Sequence, residues 1–292
     1  MSWLDSYVHR ALLEAVILGA TAGIVGVHVV LRRLSFFTMT MTHATFPGVV
    51  IAEIIGANIY YGGAVAGFLA CGGITLLSRR RGRADPTAIG VVLAAGFALG
   101  VALLSARSGF NRDLSAFLVG SIITVSRADL EATAIVGAAT AVVVLAIFKE
   151  LIFGAFDPVA VRALGYPAAW LDLLVLLLIE AVIVVATPAI GIMLSIALIA
   201  APAATGRLWT DRLWLMTAIA VGCGISAGVV GIELSERYNL AAGGTITLVL
   251  TGFFLVSLLL APAHGVLGAK RRAAGPATGG TARIQQFTSS GF

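Results

Sequence analysis

The residues with the clearest potential for chemistry are His43 and Met39, four positions apart in the stretch SFFTMTMTHATFPGVVIA, residues 35–52. Side chains four apart on a helix lie on the same face, so the imidazole and the thioether are expected to share one space. The stretch is apolar enough to enter a membrane, where an ionisable side chain usually faces a bundle interior or a water-filled cavity. His43 is therefore a candidate functional residue. A histidine at a helix end in the headgroup zone is an equally good interpretation of this stretch alone.

Further ionisable side chains fall inside apolar runs. Glu53 and Glu180 are carboxylates at membrane depth, His28 lies within the first run, and Glu233 directly follows the run 213–232. Each is a candidate contributor to a transport pathway, because ionisable groups are costly in a bilayer and are commonly functional there. A buried group hydrogen-bonded to a neighbouring helix is the more common alternative for each of them.

The composition indicates an all-α, polytopic helical membrane protein. The chain has 292 residues, of which 59% are hydrophobic and 11% are charged, whereas soluble domains carry about 25% charged residues. The apolar runs are long and continuous, which excludes an outer-membrane β-barrel. Asp5 and Glu14 interrupt the pattern of a cleaved signal peptide, so the first run is expected to stay in the mature protein.

Apolar runs of about twenty residues can cross a bilayer. The sequence contains nine candidate runs, and because two pairs are nearly fused, eight membrane helices is the alternative. Gly62 and Gly63 are expected to divide the second run from the third, and Thr187 and Pro188 the sixth from the seventh. The runs fall at 11–31, 42–60, 61–78, 86–105, 130–153, 169–187, 189–206, 213–232 and 244–262.

Basic residues cluster in one set of the connecting loops, for example at 79–83 and 270–272. Because Lys and Arg favour the cytoplasmic side, we expect these loops and the C-terminus to lie inside a bacterial plasma membrane. The net charge of +5 is thus a topology signal, and no nucleic-acid partner is expected. In this interpretation 1–266 is the transmembrane permease domain. Residues 267–292, which are poor in large apolar side chains, form a disordered cytoplasmic tail.

A short helix is predicted between two spans, in the sequence FDPVAVRALG. Asp157 is suited to cap this helix, Pro158 to begin it, and Gly165 to end it in the left-handed region. Val159 and Ala163 would share one face, as in a segment that docks in a partner's groove. A plain connector is the alternative, and the segment in isolation favours that alternative.

The chain lacks a nucleotide-binding motif, so it is not expected to be an enzyme. A P-loop needs a lysine between a glycine and Ser or Thr, and neither Lys149 nor Lys270 has those neighbours. Cys71 and Cys223 lie in separate runs without metal-ligand spacing. No permanently bound cofactor is expected, and energy for transport must come from another subunit or an ion gradient.

Three passages together resemble the ABC-3 family of permeases, the membrane subunits of bacterial zinc and manganese ABC importers. Residues 35–52 resemble a block that reads aspartate, three residues, then His-Ala-x-x-Pro-Gly. The sequence FDPVAVRALG resembles the family's coupling segment. Residues 191–207, followed by GIELS at 231–235 and Gly-Gly at 243–244, resemble its C-terminal signature.

The resemblance implies a permease subunit that forms the pathway for a divalent metal ion, Zn²⁺ or Mn²⁺ with iron as a further option. The implied partners are a separate ABC ATPase subunit, an extracytoplasmic metal-binding lipoprotein and a second permease copy in a homodimer. The residues implied to contact the ATPase are Asp157, Pro158, Val159, Ala160, Ala163 and Gly165.

The same resemblance gives His43 the family's metal-contacting role. Glu53 and Glu180 are weaker candidates, on the basis of their membrane depth and not of the resemblance. Met39 stands where the family has its aspartate. Imidazole with thioether suits Cu(I) or Zn²⁺ better than Mn²⁺. Altered metal choice, a ligand supplied elsewhere, and a pathway that guides the ion without holding it all remain open. The last is preferred, because a permease must release its ion.

Other classes of function are weaker alternatives. A permease for metal chelates is the nearest. A gradient-driven secondary transporter would need an internal repeat with broken helices at matched positions, and the Asp-Pro pairs at 85–86 and 157–158 are a weak echo of one. A membrane scaffold without transport activity is disfavoured by the ionisable groups at membrane depth.

Overall fold

A computed structural model of the chain describes residues 7–78, 86–106, 122, 125–156, 164–165 and 168–266. Every regular element of some length in these ranges is an α-helix, which confirms the all-α prediction. The helices are α1 (Tyr7–Arg32), α2 (Ser35–Ile55), α3 (Ile59–Ser78), α4 (Pro86–Ser105), α5 (Arg127–Ala146), α6 (Phe148–Phe156), α7 (Ala168–Trp209), α8 (Leu213–Tyr238) and α9 (Ala242–Leu260).

Seven helices in the described ranges are long and apolar enough to cross a bilayer. They are α1, α3, α4, α5, α7, α8 and α9. Helix α6 has 9 residues and is too short. Helix α2 has 21 residues and is not among the seven, since its sequence contains several threonines, His43 and Pro47. The chain is thus a multi-span helical membrane protein.

Two helix boundaries differ from those predicted. Helix α2 ends at Gly56, whose φ of 72° is left-handed, and α3 begins at Ile59. Gly62 and Gly63 therefore lie inside α3. They allow α3 to pack closely against α2 and do not form the turn between the two helices. The other predicted break, at Thr187 and Pro188, is also displaced: α7 runs for 42 residues and is interrupted at Gly191, with φ 78° and ψ 167°.

The predicted fifth run, 130–153, is divided at Ile147 into α5 and α6. Gly165 has a φ of 78°, the left-handed conformation predicted for it. The rest of the predicted short helix, 157–163, lies outside the described residues, as do the basic loop 79–85 and the tail 267–292.

Helix α1 lies at the centre of the main core and packs against α8 and α7. The contact with α8 is made backbone to backbone: a Cβ added to Gly19 would lie 2.6 Å from the carbonyl carbon of Gly224. Small residues allow such close approach between membrane helices. Gly222 is an exception, since no atom lies within 4 Å of an added Cβ there.

Helices α2, α3 and α4 pack together beside this core, and α2 also contacts α7. Gly48 of α2 and Gly62 of α3 lie against each other, since a Cβ on either would come within 2.3 Å of the other's carbonyl oxygen. On the α4 side, the Phe46 ring fills the space above Gly100. Helix α2 is thereby fixed by α3, α4 and α7. Its exposed side chains are confined to a few positions, among them Phe36, Met39, Ile51 and Ile55.

Candidate functional site

Helix α2 carries the predicted site, and its threonines are accommodated by bonds within the helix. Thr38 donates to the Leu34 carbonyl at 3.2 Å, and Thr40 donates to the Phe36 carbonyl at 3.0 Å. Both threonine side chains are fully buried. Because these hydroxyls are satisfied locally, a threonine-rich helix can lie in an apolar bundle without further polar partners.

Pro47 lies inside α2, four residues after His43. Proline has no N–H, so the helical hydrogen bond to the His43 carbonyl is not made. That carbonyl lies near α4, where a Cβ added to Gly96 would be 3.3 Å from its oxygen. The His43 carbonyl thus lacks its usual helical donor because of the proline in the same motif, and its oxygen lies in the contact between α2 and α4.

The His43 side chain is half-buried between α2 and α4. Its ring meets that of Phe97 edge-on, with centroids 5.3 Å apart and an interplanar angle of 81°. Its Nδ1 is buried and has no hydrogen-bond partner among the described residues. The imidazole is thus held by an aromatic contact on α4, and its buried Nδ1 makes no hydrogen bond to the described residues.

Met39 precedes His43 by one turn and is 37% exposed, at the open surface of α2. The sequence predicts that Met39 and His43 share a helix face. In the structure this face lies at the surface of the protein and not in an enclosed cavity. Glu53 is half-buried in the last turn of α2, and its carbonyl accepts a hydrogen bond from the Gly56 N–H at 3.3 Å.

Glu180 lies on the other side of α2. Its Oε1 accepts a hydrogen bond of 2.9 Å from Thr45, while its Oε2 is buried and has no partner among the described residues. The carboxylate rests against Gly67 of α3, at a place where any Cβ would overlap it. Thr45 is two residues from His43, about 200° around the helix, so Glu180 and His43 face opposite sides of α2.

An apolar groove of about 590 Å³ lies beside His43. Helices α2, α3 and α4 form it, and it begins where Ala44 and Pro47 meet Gly96. Its walls are almost entirely apolar and contain no charged side chain, with Tyr61 as the one lining residue that has a polar side-chain group. The open surface next to the histidine is consequently smooth and composed mainly of small and aliphatic side chains.

No group of three or more His, Cys, Asp or Glu side chains is close enough to hold a metal ion within the described part of the chain. A single chain brings together one imidazole, one carbonyl oxygen and one exposed thioether around His43. Such a set can assist the passage of a cation but does not match a tight site, because protein zinc sites use three or four His, Cys or carboxylate ligands and a single chain offers one of these here.

The structure contains a carboxylate network near the N-terminal end of α1 that was not predicted from the sequence. Glu14 is fully buried, and its Oε1 accepts a hydrogen bond of 2.7 Å from Thr133 of α5. Nearby, Tyr60 of α3 donates at 2.6 Å to Asp129, which also caps α5 together with Ser126. A lone glutamate in the first apolar run was the available signal, but its partners lie too far along the chain to be found from spacing.

Comparison with known proteins identifies the family. The ABC 3 transport family matches residues 4–261. The manganese transport system membrane protein MntC of Halalkalibacterium halodurans is 34% identical over 262 residues, which cover 90% of each protein. The manganese import system permease protein ScaB of Streptococcus parasanguinis is 32% identical over 256 residues, which cover 88% of this chain and 91% of that protein.

A solved structure has the same fold. A chain of PsaBC from Streptococcus pneumoniae, in complex with a Fab, matches with a TM-score of 0.82 and 32% identity, covering 90% of this chain and 95% of that one. The family match spans residues 4–261, a range that contains all nine helices described above. On this evidence, the chain belongs to the ABC-3 transport family.

Proposed function

We propose that this chain is the membrane-spanning permease subunit of an ABC importer for divalent metal ions, with Mn²⁺ as its main cargo. The observation that carries the proposal is the family match over residues 4–261, together with relatives named as manganese permeases that align along almost their whole length. Zn²⁺ is the principal competing cargo, because His43 and Met39 supply softer donors than Mn²⁺ prefers.

The proposed pathway passes the exposed face of α2 at His43. A neutral imidazole is a common metal ligand, and its Nδ1 has no competing partner among the described residues. The His43 carbonyl, freed by Pro47, offers the oxygen donor that a harder ion such as Mn²⁺ favours. With Met39 in place of a carboxylate, these donors guide the ion past a low-dielectric region and hold it weakly.

The proposed assembly contains a second copy of the chain. Met39 is exposed and His43 half-buried at an open surface, so one chain provides only part of a coordination shell. Two copies that meet along this face would double the donors around the ion. Glu53 stays a weaker candidate on the same helix, and Glu180 a weaker candidate behind it.

The proposed partners are an ABC ATPase that docks on residues 157–165 and an extracytoplasmic lipoprotein that delivers the ion. ATP is hydrolysed by that ATPase, since this chain has no P-loop. The proposed topology has nine spans, obtained when α2 crosses the membrane and α7 counts as two spans separated at Gly191; eight is the alternative. The C-terminus and the tail 267–292 are cytoplasmic, and the protein resides in the bacterial plasma membrane.

The test is uptake of Mn²⁺ and Zn²⁺ by the complete transporter, with its ATPase and binding protein, in sealed vesicles. His43→Ala should abolish or sharply reduce uptake while expression and ATPase assembly persist. Met39→Asp restores a carboxylate and should shift preference toward Mn²⁺. His264→Ala is the matched control, because His264 lies at one end of the bundle beside Asp211, 3.1 Å away, and not on α2.

Wild-type uptake of both metals by His43→Ala would show that the histidine is structural and would refute the pathway. Uptake that continues without ATP and follows a proton or sodium gradient would favour a secondary transporter. If His43→Ala lowers uptake but Met39→Asp leaves the relative uptake of Mn²⁺ and Zn²⁺ unchanged, the pathway stands, and position 39 has no part in choosing the ion.

A further inference from the structure

Arg32, the last residue of α1, lies at a junction of helices that the proposed transport pathway does not use. Its side chain is only 9% exposed, although it carries a permanent positive charge. A buried guanidinium needs charged or polar partners to offset the loss of hydration. The partners of Arg32 therefore show which elements this end of α1 holds together.

Those partners lie on two other helices. One terminal nitrogen of Arg32 forms an ion pair with Asp172, in the first turns of α7. The other donates a hydrogen bond of 3.2 Å to the carbonyl of Leu151 in α6. Gly154 leaves the necessary space, since a Cβ there would lie 3.1 Å from the same nitrogen. Arg32 thus joins α1 to α6 and α7.

The two helices that Arg32 joins are the two that flank the proposed ATPase-docking segment. Helix α6 ends at Phe156 and α7 begins at Ala168, so residues 157–167 connect them. Displacement of that segment must be taken up by its flanking helices. Arg32 contacts both flanks and is attached to the end of α1.

From Arg32 the chain passes directly into the helix that carries His43. Arg33 adopts a left-handed φ of 58°, and the Leu34 N–H bonds back to the Val29 carbonyl at 2.8 Å. The Arg33 N–H bonds to the Val30 carbonyl at 3.2 Å, which completes a Schellman turn. Helix α2 then begins at Ser35. A turn this short and fully bonded transmits displacement from one helix to the next.

We propose that Arg32 is a positioning residue that couples movement of the ATPase-docking segment to the metal helix α2. The inference rests on the proposed function, in which residues 157–165 receive the ATPase. Arginine is required because its planar fork can hold the Asp172 carboxylate and the Leu151 carbonyl at once, whereas lysine offers a single point of charge. Loss of this link leaves the ATPase bound but disconnects its cycle from His43.

The test uses the complete transporter, copurified with its ATPase and reconstituted in phospholipid vesicles with its binding protein. Arg32→Lys and Asp172→Asn should lower the Mn²⁺ taken up per ATP hydrolysed by about tenfold. Copurification and the rate of hydrolysis should stay within about twofold of wild type. Asp172→Glu, which keeps the charge, should retain most of the coupling. Arg207→Lys is the matched control, because Arg207 pairs with Asp211 at 2.9 Å without bridging α6.

A second readout follows α2 without measuring transport. Met39→Cys is introduced into a chain whose Cys71 and Cys223 are replaced by alanine, and its reaction with a thiol reagent is timed with and without ATP. ATP should change the labelling rate at position 39 when Arg32 is retained. The rate should be the same with and without ATP when Arg32→Lys is added.

The outcomes separate the coupling inference from the proposed function. Unchanged Mn²⁺ uptake per ATP in Arg32→Lys would overturn the inference, as would a parallel loss of assembly, hydrolysis and uptake, which marks a purely structural residue. The inference would also be overturned if the labelling rate at position 39 were the same with and without ATP in the chain that retains Arg32. If the wild-type complex transports no metal but its labelling depends on ATP and on Arg32, the metal-import proposal fails and the coupling stands.

Discussion

The contact between α2 and α3 can be tested by adding a single methyl group. In Gly62→Ala, the new Cβ would lie 2.3 Å from the Gly48 carbonyl oxygen and 2.5 Å from the Ala52 Cβ. Optimal carbon contacts are about 3.5–4.0 Å, so α2 and α3 must separate by roughly 1 Å to admit it. The displaced helix is the one that carries His43.

The expected change in stability follows from two opposing effects. Overpacking of a close contact costs about 1–3 kcal/mol, and replacing glycine by alanine within a helix returns up to about 1 kcal/mol. Because the 2.3 Å and 2.5 Å approaches place the overpacking cost near the upper end of its range, the net effect is a loss of about 2 kcal/mol. For a chain of this size each kcal/mol corresponds to about 2–4 °C in Tm.

Gly72→Ala is the matched control, because Gly72 lies in the same helix and has no atom within 4 Å of an added Cβ. Thermal unfolding of the detergent-solubilised proteins should show a lower Tm for Gly62→Ala and an equal or higher Tm for Gly72→Ala. Mn²⁺ uptake, measured well below both transitions, should fall for Gly62→Ala alone. Equal Tm values for Gly62→Ala and wild type would refute the close contact.

Two further predictions concern assembly and topology. Ala163→Arg should prevent copurification of the ATPase while the permease still inserts, because residue 163 lies on the proposed docking face; normal recruitment of the ATPase would contradict that face. A reporter fused after Lys270 should be cytoplasmic, and a cysteine at Asn111 should be labelled from outside the cell, because basic loops stay inside. Labelling of loop 79–83 from outside would reverse the topology.

The fold class and the start of α4 at Pro86 could be predicted from the sequence, because both depend on local composition and local backbone rules. The breaks at Gly56 and Gly191 could not. A glycine in an apolar run can end a helix or allow two helices to touch, and the sequence around Gly62 looks the same in both cases. The distinction depends on Gly48, which lies on a different helix.

The candidate site shows the same division. The spacing of Met39 and His43 placed both on one helix face, since that relation is local. The contact of His43 with Phe97, and the hydrogen bond between Thr45 and Glu180, join residues far apart in sequence. Arg32 and Asp172 are 140 residues apart, and nothing in either segment identifies the other. Such pairs become visible only when the helices are assembled.

The His-Ala-x-x-Pro-Gly passage of α2 gains a physical explanation from these contacts. Pro47 lies one turn after His43 and frees its carbonyl, while Gly48 allows α3 to approach. His43 thus contacts α4, whereas Gly48 contacts α3, so these two motif residues face different neighbouring helices. Met39 takes part in neither contact and is exposed. We therefore expect that the side chain at position 39 can change without disturbing how α2 is held, so that the donor proposed for this position is separable from the fold. Met39→Asp should accordingly alter metal uptake at unchanged Tm, and a large fall in Tm would show that position 39 supports the packing of α2.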